Sequence, residues 1–357
     1  MNDPESAPLT GAALRHLVEA MPKAELHLHL DGSLRIDTAL DLARTRGVDA
    51  PRDRPGMSAA LIAPMPCANQ AELLRAFDLP IALLQDAEAL ERVTTELVEA
   101  KAADGVRYVE IRWGPLLHVA GGLSLADGIA AVCAGAREGA TRSGTVVRLI
   151  CTGLRSHEPA ANVVLAETAV RFRHEGLTGW DLAGPEAAFP DPTIHAAAFE
   201  VARAGGLRIT LHAGEWGGST QIRRALTLAP ERIAQGPRAA DDAALCAELI
   251  ARGVTLDLCP TSNWQAGIVP SLAAHPLARL HRAGVPVTLS TDDTTVSDLT
   301  LSDEYVRTVE TIGLTVRELW AIDGHALDVA FADEASLAPV RAAFTAWATG
   351  VPELGGR

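Results

Sequence analysis

Short apolar runs, many of them β-branched and each ending in polar or small residues, recur along the chain. They are AELHLHLDG (24–32), RYVEIRWGP (107–115), TVVRLICTG (145–153), TGWDLAG (178–184), LRITLHAGE (207–215), ERIAQGP (231–237), VTLDLCPTS (254–262) and VPVTLSTDD (285–293). Between most of them apolar residues return every three or four positions. ADDAALCAELIARG (240–253) is one such stretch, and it closes on a glycine suited to a left-handed helix cap. Strands that alternate with helices pair in parallel through right-handed crossovers. Eight such units predict one α/β domain over 1–357, a (β/α)8 TIM-type barrel, and near-continuous apolar strands suit a sheet buried on both faces. An open, doubly wound sheet is the other architecture that this alternation allows.

One connection differs from the rest. About 75 residues separate the first strand from the second, far more than a βα loop plus a helix requires. Within it, ANQAELLRAFDLPIALLQ and AEALERVTTELVEAKAADG both carry helical periodicity. Residues 33–105 are therefore expected to form a helical insertion over the C-terminal mouth of the barrel, where ligands bind, as a lid or pocket wall. Leu73, Leu74 and Phe77 would line an apolar pocket there, although that spacing also suits plain core packing. Residues 1–10 and 351–357 lack any periodic pattern and are expected to be flexible.

Charge and cysteine content narrow the function classes. With 31 basic against 45 acidic side chains the formal charge is −14, which argues against nucleic acid or an anionic membrane surface as a partner. The first twenty residues lack the basic segment and apolar run of a signal peptide, and no stretch approaches about 18 uninterrupted apolar residues. The five cysteines are odd in number and never in CxxC spacing, as expected of reduced thiols in a cytoplasm. Nothing in the chain speaks to its oligomeric state.

In a barrel, polar residues at the C-terminal strand ends are the candidates for chemistry. His27 and His29 end the first strand and, two residues apart, point to one side of it. An HxH pair alone is weak, since eleven histidines would give about 0.3 such pairs by chance. His212 ends the fifth strand and Asp292 the eighth, so three imidazoles and a carboxylate converge on one rim. That set suits a borderline cation such as Zn2+, with Fe2+ or Co2+ also accepting it. Glu215, three residues past His212, is placed to take a proton from a metal-activated water and pass it on; as a first-turn residue it would also favour the dipole of the next helix. Asp293 is placed to bond a substrate nitrogen or to stabilise a turn. The other histidines, among them His118, His195 and His275, read as surface or packing residues.

In the order ELHLHLDGSLR, DLAG, LHAGE, CPTSN and STDD, the chain resembles the adenosine deaminase-like metal-dependent amidohydrolases, from about Pro22 into the 330s. The resemblance implies a (β/α)8 barrel with one zinc on His27, His29, His212 and Asp292, and a small purine or nucleoside-like substrate. It further implies that Glu215 protonates a purine ring nitrogen, that Asp293 contacts another and that Gly184 contacts the base through its backbone. Asp31 would meet a ribose hydroxyl; relatives acting on the free base often carry Glu there. The cytidine-type deaminases are a different scaffold, and their HxE and PCxxC ligands are absent here.

The chain departs from the family where the sixth strand ends. The family's GHG histidine, which holds the attacking hydroxide, is replaced by Gln235, with Ala234 and Pro237 beside it. Thr294 replaces the proline usual after TDD, and Gly324-His325 stands where an asparagine is expected. Glutamine can give or take one hydrogen bond to the nucleophile but cannot carry a proton, and oriented groups of this kind are typically worth about 3–4 kcal/mol of barrier. Three readings follow. The first is hydrolytic deamination of an adenosine-like nucleoside or modified purine, with Glu215, Asp292 and Gln235 as the catalytic group. The second is hydrolysis or rearrangement of a different nucleoside-like substrate. The third is a weakly active or inactive binding relative.

Overall fold

The structure, a computed structural model, describes residues 9–354. Eight parallel strands follow one another around a single sheet in chain order. They are β1 (Lys23–His29), β2 (Val106–Trp113), β3 (Val146–Leu154), β4 (Leu177–Ala183), β5 (Arg208–Ala213), β6 (Arg232–Gln235), β7 (Thr255–Leu258) and β8 (Val287–Leu289). All eight expected strands are present, and the order excludes the doubly wound alternative, whose strand sequence reverses at a switch point. The fold is a (β/α)8 barrel.

The barrel closes through its last residues. β8 is only three residues long, so much of the β1 edge finds other partners. Leu28 bridges to Asp292, the His29 N–H donates to the Asp292 carbonyl at 2.7 Å, and the Asp292 N–H donates to the His27 carbonyl at 3.1 Å. Lower down, the Ser290 hydroxyl accepts from the N–H groups of Leu26 and His27, and the Asp323 carboxylate accepts from Ala24 N–H at 2.9 Å. Side chains thus replace missing ladder bonds, as buried backbone donors require.

Sequence periodicity did not disclose the charged lumen. In RYVEIRW, Val109, Ile111 and Trp113 belong to the apolar core, while Glu110 and Arg112, in the alternate positions, meet charged partners from other strands. Arg232 pairs with Glu110 and, at 3.1 Å, with Asp257; Arg112 donates to Asp181 at 3.2 Å and to the Leu26 carbonyl at 2.9 Å. These side chains are fully buried. Deleting one member of such a pair typically costs about 3–5 kcal/mol, because its partner is left charged and alone.

The long first connection differs from the expectation in three ways. Two helices that the periodicity missed, α2 (Ile36–Arg46) and α3 (Arg54–Leu61), follow α1 (Gly11–Ala20) and β1. The stretch 68–85 is broken into α4 (Gln70–Leu74), a 3-10 turn at Arg75–Phe77 and α5 (Asp78–Leu83). Pro80 accounts for the break: it has no N–H for the carbonyl of Ala76, and its ring crowds that carbonyl, so the helix restarts one turn before it. Finally, α6 (Ala87–Ala103), capped by the Asp86 carboxylate accepting from Ala89 N–H at 2.8 Å, packs on β2 and on the next helix, Leu125–Ser143. It is the ordinary crossover helix, so the extra segment ends before it and not at 105.

Towards the C-terminus, Pro352–Leu354 form a 3-10 turn, Val351 is buried and Arg317 donates to the carbonyls of Glu353 and Leu354. The expected flexible tail is thus packed as far as Leu354. Residues 1–8 and 355–357 lie outside the described residues. Among the described residues, no helix is long and apolar enough to cross a membrane, and all five cysteines are free.

Candidate active site

The residues at the C-terminal ends of β1, β5 and β8 meet at one point. His27 Nε2 lies 3.1 Å from His212 Nε2 and 3.3 Å from His29 Nε2, and His29 Nε2 lies 3.3 Å from His212 Nε2. Asp292 Oδ1 stands 2.9 Å from His27 Nε2 and 3.3 Å from His29 Nε2. All four ligand atoms fall within 4.8 Å of one another. To face the histidines, Asp292 takes a left-handed backbone (φ 68°), a conformation that aspartate tolerates better than most residues.

These residues fit a divalent cation. His212 Nδ1 donates to the Asp181 carboxylate at 2.9–3.0 Å, which leaves the lone pair of its Nε2 facing the other donors. Burial lowers the basicity of His27 and His212, which favours the neutral, ligating imidazole. Burial also opposes the charge on Asp292, but His27 and His29 more than offset this and hold its carboxyl well below the usual range. Lone pairs aimed at one another repel unless a cation lies between them. Ligands about 2.0–2.1 Å from a tetrahedral Zn2+ stand roughly 3.3–3.4 Å apart, close to the spacings here.

Above the quartet opens a cavity of about 420 Å³. His29, His212, Asp292, Asp31, Gly184, Glu215, Gln235 and Asp293 line it, together with Leu73, Leu74 and Phe77 from the extra segment. Every expected site residue therefore faces this space except His27, which is buried beneath it. Gly184 has φ 102°, which side-chain-bearing residues rarely adopt. Gly32 is packed under Asp293, whose Oδ1 would lie 1.7 Å from an added Cβ.

Two carboxyl groups in the cavity are biased towards the protonated form. Burial, then the nearby charges of Asp292 and Glu186, pushes Glu215 well above the usual carboxylate range. Burial, then Asp292, Asp31 and Glu215, does the same to Asp293. A neutral carboxyl is a hydrogen-bond donor, which an ionised one is not. Among the described residues, Asp293 Oδ1 and Asp31 Oδ1 are buried with no partner, as expected of atoms that wait for a ligand.

Gln235 ends β6 with φ 75° and is almost fully buried. Its Nε2 donates to Asp292 Oδ2 at 2.7 Å, and Ser262 Oγ donates to the same oxygen at 2.7 Å. Its Oε1 accepts from Asn263 Nδ2 at 2.7 Å, Asn263 Oδ1 accepts from His275 Nε2 at 3.1 Å, and His275 Nδ1 accepts from Leu277 N–H at 3.2 Å. The ends of this chain fix its direction, because a backbone N–H can only donate and a carboxylate can only accept. Each amide in it has one allowed orientation. His275, read from the sequence as a packing residue, is thus wired to the site.

Sequence reasoning also missed Asp181, Asn263, Glu186 and the pocket residues Asp78, Ile81, Leu117 and Trp216. Asp181 and Asn263 were within reach, since they sit in the quoted DLAG and CPTSN motifs. The others carry no local signal.

A sequence model of the family described as adenosine deaminase matches residues 22–344. An adenosine deaminase of Mycobacteroides abscessus is 39% identical over 329 residues, covering 87% of this chain and 90% of that protein. A cog1816 amidohydrolase from Burkholderia ambifaria, solved with bound Zn, superposes with a TM-score of 0.86 at 27% identity, covering 96% of this chain and 94% of that one. The N6-methyl-AMP deaminase of Arabidopsis thaliana superposes with a TM-score of 0.82 at 28% identity, over 93% of this chain and 98% of that one.

Proposed function

The chain belongs to the adenosine deaminase family, hydrolases acting on carbon–nitrogen bonds, and on that premise we propose that it hydrolytically deaminates an adenosine-like purine nucleoside. The observation that supports this reading is the meeting, at one cavity, of a quartet able to hold a cation with two buried carboxyl groups biased towards protonation.

We assign His27, His29, His212 and Asp292 as the ligands of one Zn2+. When bound, that ion supplies Lewis-acid activation of water. Glu215, as an acid, donates its proton to the ring nitrogen beside the amine-bearing carbon, which makes that carbon electrophilic. Water adds there as one of its protons passes to the Asp292 carboxylate; that proton moves on to the departing amine, which leaves as ammonia, and the new hydroxyl returns a proton to Glu215 as the carbonyl forms. Purine ring nitrogens present lone pairs, so a protonated Asp293 matches a second one. The Gly184 backbone borders the base, and Asp31 Oδ1 faces a sugar hydroxyl. Gln235 keeps one N–H on Asp292, and its second N–H is free for the attacking oxygen.

The cavity favours a nucleoside over its 5′-phosphate. Among the described residues lining it there is no Lys or Arg, whereas Asp31, Asp78, Glu215, Asp292 and Asp293 are acidic. A phosphate dianion would enter without a counter-charge. Reduced thiols and the acidic surface suit a cytoplasmic enzyme.

The test is ammonia release by zinc-loaded protein from adenosine, 2′-deoxyadenosine, adenine and AMP. Turnover of the nucleosides at least a hundredfold above AMP is expected. Silence across the panel with zinc bound would overturn the reaction assigned, and preference for AMP would overturn the substrate class.

A further inference from the structure

Glu186 lies in the loop after β4, two residues past Gly184, and is almost fully buried. Among the described residues, no basic side chain is hydrogen-bonded to its carboxylate. Instead it accepts four backbone N–H groups from the loop after β5. Oε1 takes Gly214 at 2.8 Å; Oε2 takes Glu215 at 3.1 Å, Trp216 at 2.7 Å and Gly217 at 2.8 Å. Four consecutive amides turned towards one anion form a backbone nest. Those residues belong to no helix or strand, and this loop carries Glu215.

A charge-assisted bond to a backbone N–H is stronger than its neutral counterpart, and four on one carboxylate hold a loop that has no ladder of its own. Beside it, Arg155 donates to the His212 carbonyl near the end of β5 at 2.9 Å and to the Phe189 carbonyl in the loop after β4 at 3.0 Å, linking that loop to the strand from which the Glu215 loop springs. The segments that carry Gly184 and Glu215, both of which line the cavity, are thereby tied to each other.

We propose that Glu186 is a positioning residue for catalysis: its carboxylate gathers the 214–217 amides and so fixes the Glu215 carboxyl over the reacting ring. The catalytic half of this statement rests on the role given to Glu215 above. The half concerning the loop does not.

The test compares Glu186→Gln and Glu186→Asp with the parent holoenzyme, using adenosine as the probe and reading kcat and KM apart alongside amide hydrogen exchange. Glutamine keeps the shape but loses the charge and one acceptor oxygen; aspartate keeps the charge but falls short by one methylene. Glu186→Gln should exchange its 214–217 amides at least tenfold faster while β1–β8 keep their protection. Its kcat should fall by about a hundredfold, with KM within about threefold and one zinc per chain, on the usual cost of misplacing a reacting group. Glu186→Asp should lie between the two.

Unchanged exchange at 214–217 would overturn the proposal. So would faster exchange spread evenly over the barrel, or local loosening with kcat intact. Should Glu215→Gln retain full turnover while Glu186→Gln still loosens the loop, the role of Glu215 fails and the nest stands.

Discussion

The directed chain behind Gln235 makes a prediction about a residue that touches no substrate. Asn263→Asp replaces one NH2 by an oxygen at constant shape. Position 263 must still accept from His275, so an oxygen now faces Gln235 Oε1 across the 2.7 Å that a hydrogen bond had spanned. Losing that bond costs about 1 kcal/mol, and leaving buried acceptors face to face costs about 1–3 kcal/mol more. If Gln235 turns its amide round to answer the new carboxylate, its oxygen meets Asp292 instead, so the loss falls on the reaction either way. A total of about 3 kcal/mol corresponds to roughly a hundredfold in kcat. Protonation of the introduced carboxylate restores a donor, so the defect should shrink as pH falls. Gln235→His should rescue this background at least tenfold, because an imidazolium donates to both carboxylates. In the parent background the same change meets the NH2 of Asn263, must remain neutral, and should stay within about threefold. Steady-state deamination of adenosine by the four proteins, with zinc counted, closes the cycle. Wild-type activity in Asn263→Asp, or an equal effect of Gln235→His in both backgrounds, would refute the reasoning.

Three further outcomes are expected. Glu215→Gln should lower kcat by at least 10² to 10⁴, the usual worth of a positioned acid, with metal content unchanged by elemental analysis; zinc lost together with activity would mean a structural role for Glu215. Removing the metal with a chelator should lower Tm by several degrees and adding Zn2+ should restore it, since saturation at a thousand times Kd contributes about 4 kcal/mol; an unmoved Tm would show that the quartet binds no ion. Burial pushes the Asp323 carboxyl up to about 7. The folded protein therefore favours its neutral form, and the stability it contributes is complete below about pH 4 and gone above about pH 7. Asp323→Asn keeps an acceptor for Ala24 N–H and Tyr305 O–H, so its advantage in Tm should grow from pH 4 to 7 and then level off; a constant difference would contradict this.

The four residues that meet beneath the cavity were legible because each sits at a strand end, where the sequence itself marks the change from apolar to polar. His27, His29, His212 and Asp292 needed only the barrel's closure to come together. The residues behind them were hidden for the converse reason. Asp181 reaches His212 only because β4 and β5 are neighbours, and Glu186 means nothing until the loop after β5 folds over it. The lumen charges looked incidental in RYVEIRW because their partners Asp181, Arg232 and Asp257 stand on other strands. In the extra segment, helical periodicity survived on both sides of Pro80 and so concealed the break that the ring imposes.

The bridge by which Asp292 joins the last strand to the first has a consequence for how the protein comes to life. His27 and His29 lie near one end of the chain and Asp292 near the other, and the backbone bonds that seal the hoop run through these same residues. The upper seal of the hoop and the meeting of the quartet are therefore made by the same residues. A chain still emerging from synthesis, or one whose final strand has peeled away, has neither. Opening that seam would part Asp292 from His27 and His29.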